Sequence, residues 1–122
     1  MEQLDVVIMN RVEAQFYQAF CSNPAYQRLT KIITKGADGL DLILPDGACQ
    51  SFPAFEVPSL SSHGAGDVFV GALAAQRLAQ IPWETALRYA QAAAALHVAT
   101  PRRQRAAITP GDIKALMQKG AL

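Results

Sequence analysis

The residues best suited to chemistry in this 122-residue sequence are Gly64-Ala65-Gly66-Asp67. Small residues let a ligand approach the backbone closely. They stand at the mouth of an expected helix, whose first-turn N–H groups lack intrahelical acceptors and carry a partial positive charge. Such a turn suits a phosphate or a developing negative charge. Asp67 sits in the same turn, where a carboxylate could take a proton from a hydroxyl. The four residues also describe an ordinary loop–helix junction, with glycine for geometry and Asp67 as a cap. Short glycine motifs are more often that, and the residues alone leave both readings open.

The elements that would position this turn follow from hydrophobic patterning. Val6-Val7-Ile8-Met9 is a continuous, largely β-branched apolar run that suits a strand buried on both faces, as in a parallel sheet. Val12, Phe16, Ala19 and Phe20 recur at helical spacing, so residues 11–21 form an amphipathic helix, broken by Asn23-Pro24. Residues 29–34 and 40–44 read as strands on either side of a turn at Gly36-Ala37-Asp38-Gly39. Pro45-Asp46-Gly47 then returns the chain as a hairpin partner over residues 48–52. Pro53 and Pro58 bracket a short extended piece, and residues 59–63 form a polar loop. The helix opening at Gly64 carries Phe69, Ala72, Leu73 and Gln76 on one face. A second helix starts at Pro82-Trp83-Glu84 and runs through Ala92-Ala93-Ala94-Ala95 towards Val98, with small side chains that permit close helix–sheet packing. Pro101-Arg102-Arg103-Gln104-Arg105 reads as an irregular basic loop. Thr109-Pro110-Gly111-Asp112 opens a last helix, with Thr109 as N-cap, an acid in the first turn, Ile113, Leu116 and Met117 on its apolar face, and Gly120 as its end. The order is β-α, a β-rich stretch, then three helices, which gives one α/β layered domain over residues 1–122.

Composition narrows the function. With 51% hydrophobic and 17% charged residues the chain is not intrinsically disordered. Eleven basic against ten acidic residues leave a net charge of +1, which argues against a nucleic-acid partner held by bulk charge. No apolar run approaches the ~20 residues of a membrane span, and Met1-Glu2-Gln3-Leu4-Asp5 lacks the pattern of a secretory signal. Cys21 and Cys49 form no Cys-x-x-Cys pair and have no His at ligand spacing, so a zinc site is not expected, a disulfide scaffold is excluded and buried free thiols are expected. The expected location is the cytoplasm.

Three segments in order carry a resemblance. Asn10-Arg11-Val12-Glu13 follows the first strand and Thr34-Lys35-Gly36-Ala37-Asp38-Gly39 the second. Ser61-Ser62-His63-Gly64-Ala65-Gly66-Asp67-Val68-Phe69-Val70-Gly71-Ala72-Leu73 comes third. Together they resemble the C-terminal half of the ribokinase-like (PfkB) family of carbohydrate kinases, from about Val6 to Leu116. The long third segment is the specific one. The resemblance implies a ribokinase-like α/β fold: a partial layered sheet with a β-hairpin and C-terminal helices. It also implies ATP-dependent phosphoryl transfer to a hydroxyl of a sugar or similar small alcohol. Asp67 is then the catalytic base, and the amides of Gly64, Ala65 and Gly66 form the anion hole. Asn10 and Glu13 help place magnesium and phosphate. Thr34, Gly36 and Gly39 lie beside the nucleotide phosphates, and Gln91, Ala94 and His97 near the adenine. Such a division of labour makes sense because phosphoryl transfer needs positioning and charge stabilisation more than covalent help.

The departures from the family pattern are specific. Ser61 and Ser62 stand where Asp-Thr is usual, and Arg102 and Arg103 where Gly-Ala is usual; both segments line a monovalent-cation site in many members, so that site is not carried over. Gln91 replaces a more usual Asn. Family chains are much longer, and the acceptor-binding N-terminal half has no counterpart here, so the chain reads as truncated. A second reading is therefore a non-catalytic nucleotide-binding remnant or interaction module. Because Val6–Met9 would be a strand with an open edge, a homo-oligomer or a complex with a complementary N-terminal half is expected. His63 contacts phosphate or fills the cation's place on one reading and is polar surface on the other; His97 lies near the adenine on one reading and is a satisfied, partly buried side chain on the other. Arg102, Arg103 and Arg105 are phosphate ligands or a solvated loop, and Trp83 is a packing residue.

Overall fold

The N-terminal apolar run forms β1 (Val6–Asn10), and the helix that follows is α1 (Arg11–Phe20). These come from a computed structural model that describes residues 6–20, 28–55, 57 and 64–119, without the side chains of 17–20, 37 and 102. It divides into two compact units, Met1–Ala54 and Phe55–Leu122.

In the first unit α1 connects β1 to β2 (Thr30–Thr34), and the two strands pair in parallel, as a helical crossover requires. Their register sets Asn10 opposite Thr34, so both strands end at the same level. A 3₁₀ turn, Gly36–Asp38, leads to β3 (Leu40–Ile43), antiparallel to β2, and a hairpin leads to β4 (Cys49–Phe52). The hairpin forms where Pro45-Asp46-Gly47 foretold it. Gly47 N–H donates to Leu44 O, Ala48 N–H to the Asp46 carboxylate, and Gly47 has φ 91°. The sheet order is β1-β2-β3-β4. Leu40 and Leu42, two residues apart, are buried together with Ile32 and Phe52, their partners in register.

Three expectations are corrected in this unit. Of β1 only Met9 is buried; Val6, Val7 and Ile8 are half-buried, because β1 lies at one end of the described sheet and not inside it. The α1 spacing did mark a helix, but Val12 is 74% and Phe16 59% exposed. Periodicity identifies a face, and covering it takes an apposed surface. Cys49 is free and exposed, because β4 is the other end strand and only Phe52 of its residues turns inward. Cys21 lies outside the described residues, as do Pro58, Ser61, Ser62, His63 and Gly120.

The second unit is helical: α2 (Ala65–Leu78), α3 (Trp83–Ala99) and α4 (Pro110–Lys119). α2 ends in two overlapping turns, Ile81 N–H to Gln76 O and Gln80 N–H to Arg77 O, with Gln80 at φ 61° where glycine is usual. The Arg77 guanidinium donates to Ile81 O at 2.7 Å and lies 4.1 Å over the Trp83 ring, which fixes the α2–α3 connection. α3 packs against both α2 and α4. Its buried alanines, Ala86, Ala90, Ala92 and Ala93, have no bulk to hold neighbours away, so the small residues serve helix–helix contacts. Ala92, Ala93 and Ile113 form a core cluster ringed by Val68, Ala72, Leu96, Leu116 and other partly buried residues. The expected basic loop is a 3₁₀ helix, Arg102–Ala107, in which Arg105 Nε donates to Thr100 O at 3.1 Å. Thr109 and Asp112 cap α4 reciprocally: Asp112 N–H donates to Thr109 Oγ1 and Thr109 N–H to Asp112 Oδ2. Among the described residues no helix is long and apolar enough to cross a membrane.

Gly39 and Gly36 separate two reasons for glycine. Both have positive φ, but a Cβ on Gly39 would collide with the Phe52 carbonyl oxygen, whereas one on Gly36 meets nothing. Gly36→Ala should therefore cost about 1–2 kcal/mol, the penalty of left-handed backbone. Gly39→Ala should cost about 3 kcal/mol or more, since backbone must also move. Urea unfolding of the two variants checks the order; equal losses would contradict it.

Candidate functional site

The second unit places Gly64 as the N-cap of α2, with left-handed backbone (φ 83°, ψ −4°) and no side-chain cap. The first helical bond of this turn runs from Val68 N–H to Gly64 O at 3.1 Å. The amides of Ala65, Gly66 and Asp67 precede it and have no acceptor within the helix. Gly66 and Asp67 are exposed. A Cβ on Gly66 would meet no other atom within 4 Å, so the protein's own packing does not demand glycine there. First-turn amides of this kind are what an approaching anion needs. The Asp67 carboxylate belongs to this same first turn, where the helix dipole favours negative charge.

Gln91, Ala94 and His97 lie three residues apart along α3, all half-buried. Gln91 Oε1 accepts from Arg88 Nη1 at 3.0 Å, and the Arg88 guanidinium stacks 4.1 Å over Phe55. Burial pushes the Arg88 pKa down from its ordinary value. His97 is turned towards Gly64: a Cβ on Gly64 would lie 3.1 Å from His97 Nε2.

The first unit gathers Asn10, Glu13, Thr34 and Gly36 at the carboxyl ends of β1 and β2, the end of a parallel pair where ligands of open α/β sheets bind. Asn10 Oδ1 accepts from Glu13 N–H at 2.8 Å, and Glu13 Oε1 accepts from Asn10 N–H at 2.9 Å. The Asn-x-x-Glu spacing is thus a capping box for α1. Thr34 Oγ1 donates to Met9 O at 3.4 Å. Arg11 ties the start of α1 to the following turn, through Asp38 at 3.3 Å and Lys35 O at 3.4 Å. Lys35 Nζ sits 2.9 Å from Asp41 Oδ1, which also accepts from Ser51 Oγ at 2.7 Å. Among the described residues no group of three or more His, Cys, Asp or Glu could hold a metal by itself.

The pfkB family carbohydrate kinase model matches residues 1–109 of the sequence. The chain belongs to that family. It is 36% identical over 91 residues to the 2-dehydro-3-deoxygalactonokinase of Haloferax volcanii, which covers 75% of this chain and 28% of that protein. The nucleoside kinase of Burkholderia thailandensis in complex with inosine superposes with a TM-score of 0.80 at 26% identity, over 95% of this chain and 40% of that one. The ribokinase of Arabidopsis thaliana complexed with ribose and ATP gives 0.77 at 20% identity, over 93% and 41%. The fold is ribokinase-like α/β, as the sequence led one to expect. The chain spans little more than a quarter of that curated relative's length and about two-fifths of those solved structures.

Several contacts beside the candidate residues of this pfkB family member had not been expected from the sequence. Arg88 stands three residues before Gln91, a spacing that marks helix neighbours, and could have been found. Arg11–Asp38 and Lys35–Asp41–Ser51 join different elements and leave no local signal.

The last of these clusters gives a pH test. The Ser51 hydroxyl first, and Lys35 second, hold the Asp41 carboxyl below its ordinary range despite partial burial. A folded-state pKa below the unfolded one contributes stability above the unfolded value, which is lost as pH falls through the folded value. Wild type should therefore exceed Ser51→Ala in stability at about pH 6, and the gap should shrink towards about pH 3. Urea unfolding at both pH values checks this; a gap independent of pH would contradict it.

Proposed function

We propose that this chain is the nucleotide-binding, C-terminal part of an ATP-dependent carbohydrate kinase that passes the γ-phosphoryl group to a hydroxyl of a sugar or similar small alcohol. The observation that carries this reading is the turn at the start of α2, with Gly64 left-handed and giving no side-chain cap, and Gly66 and Asp67 exposed in the same turn. Support also comes from the family match and from the substrates named for the ribokinase and nucleoside kinase structures.

Asp67 takes the proton of the acceptor hydroxyl as its oxygen attacks the γ-phosphorus. The bond from that phosphorus to the β,γ-bridging oxygen breaks, and ADP leaves with the electron pair. The amides of Gly64, Ala65 and Gly66 stabilise the charge that builds on the transferred group. Thr34, Gly36 and Gly39 attend the nucleotide phosphates, and Gln91 and Ala94 the base. Asn10 and Glu13, exposed and forming no protein cage, would help hold a magnesium ion brought in with the nucleotide. When bound, magnesium neutralises phosphate charge. The β1 edge with the exposed Val12 and Phe16 supports assembly with a second copy or a complementary N-terminal half.

Calorimetry with ATP–magnesium, paired with a transfer screen over sugars and nucleosides, tests the reading. The expected affinity is weak, about 0.1–1 mM, or −4 to −5.5 kcal/mol. Asp67→Asn should lower turnover by about 10²–10⁴-fold and leave nucleotide affinity nearly unchanged. Full turnover in that variant would make Asp67 a helix cap only. Nucleotide binding without transfer to any acceptor would favour the remnant, and no binding would refute both.

Gly66→Ala separates ligand demand from packing demand. Alanine is the better helix former by about 0.5–1 kcal/mol, so the variant should be more stable. Its methyl group fills the space over the amides, so ATP affinity should fall. A variant that gains stability and keeps full affinity would place the phosphate elsewhere.

A further inference from the structure

His97 sits in the last turn of α3, half-buried, and its imidazole edge reaches the residue that opens α2. A Cβ on Gly64 would lie 3.1 Å from His97 Nε2 and 3.8 Å from its Cε1. The ring therefore lies in tight contact with the position a Cβ at the N-cap would take. Gly64 has φ 83°, a conformation that glycine adopts freely but leaves just as freely, because glycine populates both signs of φ. No side chain of its own caps the turn. Gln91, on the same helix, is engaged by Arg88 instead. The three α3 residues grouped by the family resemblance thus divide, and His97 goes with the turn.

We propose that His97 is a positioning residue for the Gly64–Ala65–Gly66 turn. The imidazole packs against Gly64 and holds it in the left-handed conformation. That aims the amides of Ala65 and Gly66 before any ligand arrives. Donors fixed in advance bind an anion more strongly than donors that must be ordered on binding. The pairing also favours glycine at 64 in two ways, by φ and by the tight contact a Cβ would make with the ring. This role rests on the proposed reading of the turn as the phosphoryl-binding element.

The test compares wild type, His97→Ala and His97→Gln by ¹⁵N relaxation of Gly64, Ala65 and Gly66, first without ligand and then in an ADP titration. Glutamine keeps a planar polar group at the reach of Nε2. The expected result for His97→Ala is a fall in the order parameters of these amides from about 0.85 towards 0.6. Its far-UV spectrum and melting temperature should stay near wild type, and its ADP affinity should drop about tenfold, or 1.4 kcal/mol. His97→Gln should recover most of both losses. Should His97→Ala fail to fold, His97→Val, which preserves α3 packing without reaching Gly64, gives the same comparison. Unchanged ligand-free order parameters in the Ala or Val variant would overturn the inference, whatever ADP does. If wild type shows no ADP-dependent shift, the kinase reading fails, and the ligand-free data still decide the role of His97.

Discussion

The first amides of any α-helix have no acceptor inside the helix, and something else must satisfy them. Two helices here solve this with paired side chains. Asn10 and Glu13 close the start of α1 reciprocally, and Thr109 and Asp112 close α4. α2 does not: its N-cap is Gly64, which has no side chain to offer. α3, whose N-cap is Pro82, has no side-chain cap either, but its first turn carries no glycine, and the candidate site is built on the start of α2. Glycine at 64 allows the left-handed turn, glycine at 66 adds no side chain to the first turn, and Asp67 puts a carboxylate within it.

An open turn is only useful if the helix behind it is held. α2 and α3 are joined by a tight connection in which Arg77 bridges Ile81 and Trp83. Buried alanines on α3 then let helices pack closely, each giving up side-chain area for proximity. That proximity brings the His97 ring against Gly64. The first unit uses a comparable economy of space: Gly39 lets the backbone after β2 pass close to Phe52, and the Arg11 contacts tie α1 to the same turn.

Much of this was legible in the sequence because it is written locally. The Pro45-Asp46-Gly47 hairpin, the Thr109 cap and the helix beginning after Gly64 each depend on a few adjacent residues, and each formed as expected. The long segment through Asp67 carried the family resemblance, and the match to residues 1–109 agrees with it. What failed was burial. The β1 and α1 patterns showed which residues are apolar, not what covers them, and Val12, Phe16 and Cys49 proved exposed. The basic stretch after Pro101 looked irregular because arginine has no strong turn signature, yet it winds into a 3₁₀ helix. The ion pairs of Arg11 with Asp38 and of Lys35 with Asp41 run across the sheet or between elements, where spacing in the sequence says nothing.

The central claim is that the uncapped start of α2 receives the transferred phosphoryl group. A crystal structure of the chain with ADP, magnesium and a planar metal fluoride tests it most directly. The account predicts fluoride atoms about 2.7–3.1 Å from the amide nitrogens of Ala65 and Gly66, with the Asp67 carboxylate facing the position of the attacking oxygen. It would be contradicted by a fluoride bound away from that turn, with the same amides capped by water or by Asp67 itself.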